Sequence, residues 1–200
     1  MKLPQSFYES NDVVNISKQL LGKYLYTYIN SEIVGGYIVE TEAYNGIVDK
    51  ASHAYGNRKT ARTQTMFEHG GIAYVYLCYG IHEMFNIVTS TTGEPHAVLI
   101  RAIQPTEGIE VMLYRRNMIA MKPNITSGPG SVAKALGISR AMNGVSLQSD
   151  ILWIEDKGLA FTENDIAAVP RVGVAYAGDD ALLPYRFYVK GNPYVSKPNK

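Results

Sequence analysis

The stretch Gly35 to His53 reads Gly-Gly-Tyr-Ile-Val-Glu-Thr-Glu-Ala-Tyr-Asn-Gly-Ile-Val-Asp-Lys-Ala-Ser-His, an extended run that dissolves after Tyr44. Side chains alternate along a strand, so Tyr37, Val39 and Thr41 share one face while Ile38, Glu40, Glu42 and Tyr44 share the other. Two carboxylates on an apolar, β-rich strand are costly unless something neutralises or uses them. Two readings follow. Either the strand carries a functional carboxylate beside an aromatic ring, or it is an edge strand with a solvated glutamate pair.

The rest of the chain supplies partners for such a strand. Asp12 is placed to cap a helix whose apolar positions Val13, Ile16 and Leu20 share a face, with Gly22 to end it. Residues 23–29 alternate Tyr24, Tyr26 and Tyr28 against Leu25, Thr27 and Ile29, and Asn30-Ser31 turns them into the glutamate strand as an antiparallel pair. Residues 45–71 are polar and glycine-rich, with Arg58, Lys59 and Arg62 among Thr60, Thr63 and Thr65: a phosphate-contacting surface or a solvated loop. Residues 72–89 read as a hairpin broken at Gly80. Tyr74, Tyr76 and Cys78 share a face, and Tyr79 stands at the tip, where its ring either meets a partner, such as a base stack, or folds back onto the hairpin. Residues 97–102 form a buried strand containing Arg101, which needs an anionic or carbonyl partner.

Thr106 is read as the cap of a helix with Glu107 and Glu110 near its positive end and Ile109, Met112 and Leu113 facing inward. Ser127-Gly-Pro-Gly-Ser131 enters a second helix that runs through Ala135 and stops at Gly137. There Gly128 and Gly130 offer backbone N–H groups to a phosphate, or simply a tight structural entry. Residues 151–155, 169–174 and 183–189 read as strands. The expectation is one α+β domain spanning residues 1–200: a curved, mainly antiparallel sheet with surrounding helices and a protruding hairpin.

Composition narrows the function. Cys78 is the single cysteine, which excludes an intrachain disulfide and a thiolate metal cluster, and His53, His69, His82 and His96 lack helical i, i+4 spacing, so no metal is expected. A net charge of +1 leaves any nucleic-acid role to local clusters of Lys and Arg, with few phosphate contacts and a shallow salt dependence. No run of about 18 apolar residues is present and residues 1–10 lack the features of a secretory signal, so a soluble, cytoplasmic protein with no membrane partner is expected. Fifteen tyrosines are many for this length; they serve half-buried strands and also suit stacking on bases.

Several separated motifs occur in one order: Ile38-Val-Glu-Thr-Glu-Ala-Tyr44, Ala51-Ser-His53, Tyr74-Val-Tyr-Leu-Cys-Tyr-Gly80, Val98-Leu-Ile-Arg-Ala102, Ser127-Gly-Pro-Gly130, Arg171-Val-Gly-Val174 and Arg186-Phe-Tyr-Val189. With them the chain resembles the alkyladenine (3-methyladenine, methylpurine) DNA glycosylases of the β-rich class, over most of its length. Matched position by position, the resemblance implies that Glu42 deprotonates a water that Arg101 and the main-chain carbonyl of Val172 help to hold. It implies that Tyr44, His53 and Tyr76 sandwich a flipped-out base, that Asn86 is a wall against guanine's amino group, and that Tyr79 fills the gap left in the duplex. It further implies a monomeric enzyme of base excision repair acting on double-stranded DNA with damaged purines, without a cofactor. Ile81 and His82 depart from the larger groove-reading side chains expected beside the hairpin glycine.

No lysine stands beside Glu42, so a monofunctional hydrolase without Schiff-base chemistry is expected. Glu40 lies about 7 Å along the strand from Glu42. That looks like the pair of a sugar hydrolase, but such pairs flank two faces of a sugar, and Glu40 is read as structural support. A non-catalytic nucleic-acid-binding module is the main competing reading, and a sugar-directed glycoside hydrolase the lesser one.

Overall fold

The computed structural model describes residues 1–197, in chain order α1 (Gln5–Tyr8), α2 (Val13–Gln19), β1 (Tyr24–Ile29), β2 (Glu32–Tyr44), β3 (Ala73–Cys78), β4 (His82–Thr89), β5 (His96–Glu107), α3 (Ile109–Arg116), α4 (Pro129–Leu136), β6 (Leu152–Glu155), β7 (Ile166–Val169) and β8 (Arg186–Val189). The eight strands form one antiparallel sheet ordered β3-β4-β5-β2-β1-β6, with β8 joining β2 and β7 joining β8.

The glutamate strand β2 lies inside this sheet. β5 covers one edge from Gly35 to Tyr44; β1 pairs with residues 32–37 on the other edge, and β8 takes over at Glu40–Glu42. Glu40 and Glu42 are 0% exposed, which overturns the edge-strand reading of a solvated pair. The β1–β2 turn falls at Asn30-Ser31 as expected, both residues with positive φ, the backbone a tight hairpin demands. Thr41 points to the opposite face, where its hydroxyl donates to the Ser17 carbonyl (2.9 Å) and ties β2 to α2. Asp12 caps α2 by accepting from Asn15 N–H (2.9 Å), and Leu20 and Gly22 close it.

The main core lies between the sheet and helices α2, α3 and α4, with Leu25, Val34, Ile38, Phe85, Ile100, Ile103, Val132 and Leu136 all buried. Gly137 takes the left-handed conformation that stops α4. Three sequence expectations need correction. Thr106 caps no helix, because β5 runs on to Glu107 in register with Gly35, and α3 begins only after Gly108 breaks the strand at φ 65°. Residues 169–174 are not a strand: β7 ends at Val169, because Pro170 has no N–H for the ladder, and Arg171–Val174 form a loop. The last strand spans only Arg186–Val189, not 183–189.

Gly35 and Gly36 are where β2 and β5 slip register opposite Pro105. A Cβ on Gly36 would fall 2.1 Å from the Gln104 carbonyl oxygen, a backbone atom that cannot swing aside. Gly36→Ala is expected to destabilise the fold by about 2 kcal/mol or more, read as a lowered urea midpoint; an unchanged midpoint would contradict this close packing.

Candidate active site

Arg101 on β5 reaches across to the shared face of β2. Its Nε donates to Glu40 Oε1 (2.8 Å), and its Nη1 lies 3.3 Å from Glu42 Oε1. Burial alone would pull the guanidinium pKa down, but Glu42 and Glu40 outweigh that and hold it above its ordinary value, so it is a fixed cation. Glu42 accepts two further bonds: from the Val172 N–H at Oε1 (2.8 Å) and from the Tyr44 hydroxyl at Oε2 (2.9 Å). The fold thus presents the Val172 amide N–H to Glu42, a contact separate from the carbonyl that the resemblance assigns to the water. Sequence reading had no signal for that amide contact, because it spans 130 positions.

Glu40 has a different setting. Besides Arg101 it accepts from Arg186 Nε (2.6 Å) and from the backbone N–H (2.6 Å) and hydroxyl (2.8 Å) of Ser196. Its acceptor positions are taken up by protein donors, which suits the structural role read from the sequence.

Beside Tyr44 opens a cavity of about 40 Å³, partly open to solvent, and all four expected pocket residues, Tyr44, His53, Tyr76 and Asn86, line it. Met66, Tyr74 and Tyr176 also line it and were missed. Tyr74 carried a signal, two residues before Tyr76 on the same face of β3; Tyr176, on a distant turn, carried none. His53 and Tyr76 meet edge to face (centroids 4.6 Å apart, planes at 75°), so they form adjoining walls. The Asn86 amide nitrogen is engaged by the carbonyls of Tyr74 (3.2 Å) and, more weakly, Met84 (3.4 Å), which fixes that wall.

His53 bonds the Tyr74 hydroxyl through Nδ1 (2.9 Å), and Arg62 Nη2 stands 3.5 Å from its Nε2. Burial first, then the charges of Arg62 and Arg58, lower its pKa to about 4, so the ring is neutral near neutral pH. Arg62, expected on a phosphate surface, rests on the Tyr76 ring at 4.8 Å, at the cavity's solvent edge. Lys59 lies over Phe67, and Arg58 is exposed. The long loop is anchored by a pairing the sequence did not show: Asp49 accepts from the N–H groups of Asn45 and Ala51 and from Arg171 Nη2 (2.8 Å), and Arg171 stacks on Tyr44 at 4.8 Å.

Tyr79 is 88% exposed at the hairpin tip with φ 50°, and Ile81 beside it is 73% exposed, so the ring does not fold back on its hairpin. The start of α4 lies against the same hairpin: a Cβ on Gly130 would come within 2.9 Å of the His82 ring, whereas one on Gly128 would meet nothing. Gly130 is therefore explained by tight packing. Among the described residues, no three His, Cys, Asp or Glu side chains converge as metal ligands, and no helix is long and apolar enough to cross a membrane.

A model of the Methylpurine-DNA glycosylase family matches residues 6–193. A Bacillus cereus (strain G9842) protein is 46% identical over 206 residues, covering 98% of this chain and 100% of the relative. A Bacillus anthracis (strain A0248) protein matches equally at 46%, and one from Bacillus thuringiensis (strain Al Hakam) is 45% identical over 205 residues with the same coverage. All three carry the name "Putative 3-methyladenine DNA glycosylase". A family match over nearly the whole chain, with relatives this similar along their full length, establishes that the chain belongs to the methylpurine-DNA glycosylase family and is a DNA glycosylase.

Proposed function

We propose that this DNA glycosylase excises damaged purines from duplex DNA, 3-methyladenine and other alkylated purines foremost and hypoxanthine or ethenoadenine as further candidates, using a water activated by Glu42. The observation that carries this reading is the join between the two halves of the site. The Tyr44 hydroxyl lining the aromatic cavity donates to the same buried carboxylate that Arg101 and the Val172 N–H hold.

The chemistry follows from that join. The nucleotide flips into the cavity, and water attacks its anomeric carbon while Glu42 takes the water's proton. The bond to the base breaks, with its electron pair leaving on the base. As positive charge develops on the sugar, a carboxylate already held in place stabilises it. Arg101 and the Val172 carbonyl help to hold the water. An N-alkylated purine is itself cationic, so it departs as a neutral base and gains cation–π attraction from Tyr44 and Tyr76. Hypoxanthine needs a hydrogen bond to the leaving base, and His53 supplies it through its backbone N–H or its neutral ring, not as an imidazolium. Asn86, fixed by its backbone contacts, cannot retreat from a purine 2-amino group. Tyr79 fills the space left in the stack. Arg58, Lys59 and the N–H groups at Gly128 and Gly130 sit on loops or a helix start from which phosphates can be met. No cofactor is required, and the enzyme acts as a monomer.

The sugar-hydrolase reading fits less well, since Glu40 is already held by four bonds from Arg101, Arg186 and Ser196. A binding module would need the tyrosines and arginines but not Glu42. Glu42→Gln is therefore expected to lower base release from alkylated DNA by at least about 100-fold while leaving lesion binding intact; release at the wild-type rate would end the proposal. Tyr79→Ala should weaken lesion binding and turnover more in duplex than in single-stranded DNA, and equal losses would remove its assignment.

The neutral state of His53 has a stability signature. Its pKa is about 4 folded against 6.5 unfolded, so the stability it contributes is complete above pH 6.5 and is lost as pH falls toward 4. Between about pH 7 and about pH 5 the wild type should lose about 2 kcal/mol more unfolding free energy than His53→Asn. Parallel losses in urea titrations would show that His53 is not held neutral.

A further inference from the structure

The segment 190–196 beyond β8 brings Ser196 to the carboxylate that the reaction does not use. It is tied down at several points. Asn192 Nδ2 donates to Gln104 Oε1 (2.7 Å), Tyr194 N–H to Asn192 Oδ1 (2.9 Å), and the hydroxyl of Ser127, from the Ser-Gly-Pro-Gly motif, to the Val195 carbonyl (3.3 Å). The path delivers Ser196, 6% exposed, into the centre of the buried charges. There its N–H and hydroxyl donate to Glu40 Oε2 (2.6 Å) and Oε1 (2.8 Å), its carbonyl accepts from Arg186 Nη2 (2.8 Å), and its hydroxyl oxygen also accepts from Arg101 Nη2 (3.1 Å).

We infer that Ser196 is a positioning residue for the Glu42 centre, holding the Arg101 guanidinium in the one orientation that aims Nη1 at Glu42; this rests on the reading of Glu42 as the base. A guanidinium is a rigid planar fork. Its Nε is held by Glu40 and its Nη2 by the Ser196 hydroxyl, and with the side-chain stem as the third point these contacts set the plane. The third contact, Nη1 to Glu42 at 3.3 Å, is the longest of the three, so it is the first to suffer if the plane turns. Removing the hydroxyl leaves a buried N–H without its acceptor and lets the guanidinium rotate toward Glu40. None of Glu40, Arg101 and Ser196 lines the base pocket.

The test compares wild type, Ser196→Ala, Ser196→Thr and Glu42→Gln. Single-turnover base release from methylated duplex DNA and binding of the same DNA are measured separately, with thermal midpoints recorded. Ser196→Ala is expected to slow release on the order of tenfold, the rate equivalent of one charge-assisted hydrogen bond, with binding unchanged. Ser196→Thr, which keeps the hydroxyl, should recover most of the rate. Should Ser196→Ala fail to fold, Ser196→Cys, of similar volume and weaker hydrogen bonding, replaces it in the comparison. Wild-type release by Ser196→Ala, with Glu42→Gln inactive, would overturn the inference and leave Glu42 as the base. Equal losses of rate and binding in the Ala and Thr variants would also overturn it, by showing that Ser196 acts only through the fold. Full activity of Glu42→Gln would instead overturn the reading on which the inference stands.

Discussion

Two carboxylates two residues apart can be buried on one strand because a guanidinium lies between them. Each ion taken out of water costs several kcal/mol, and an unpartnered Glu40 or Glu42 at zero exposure would be untenable. Arg101 bridges the two, Arg186 and Ser196 saturate Glu40, and only Glu42 keeps a contact set made of one long ion pair, one amide and one phenol. Much of the architecture can be understood as the means of bringing these groups together. β5 must lie beside β2 to bring in Arg101, and the register slips around Glu40 adjust that pairing. β8 must join β2 where β1 leaves it, which sets Arg186 opposite Glu42.

A second buried pair performs the corresponding task for the cavity. Residues 45–71 carry little regular structure, yet the loop is pinned where Asp49 gathers two of its own N–H groups and the Arg171 guanidinium. That pairing, with the Tyr176 hydroxyl on the Ala51 carbonyl and the Lys50 N–H on Asp180, holds the segment bearing His53 against the segment bearing Val172 and Tyr176. It also changes the electrostatics of the rings. Tyr44 already carries Arg171 against its ring and Tyr76 carries Arg62, so both rings are partly engaged as cation–π partners. Arg62 is exposed, whereas Arg171 is buried.

The residues of the site were legible where chemistry is local. The alternation that set Glu40, Glu42 and Tyr44 on one face is present in the structure, and so are the exposed Tyr79 and the turn at Asn30-Ser31. Errors fell at element ends. Thr106 is a reasonable cap residue in isolation, but the ladder between β5 and Gly35 outcompetes the helix until Gly108. Arg171–Val174 have strand-like composition, but Pro170 ends the ladder just before them.

By itself the sequence determined the periodicity that makes β2 a strand, the residue types its face presents, the turns around it and the motif order that marks the family. Those properties depend on neighbours a few positions apart, where backbone geometry acts directly. Only the tertiary structure decided that the glutamates are interior, that Glu40 is held by Arg101, Arg186 and Ser196 while Glu42 is joined to the cavity through the Tyr44 hydroxyl, and that Asp49, Arg171, Tyr176 and Ser196 belong to the same assembly. The pairings behind those decisions join groups up to 156 positions apart. A buried charge accepts whichever donor the fold delivers to it, and sequence spacing carries no record of that delivery.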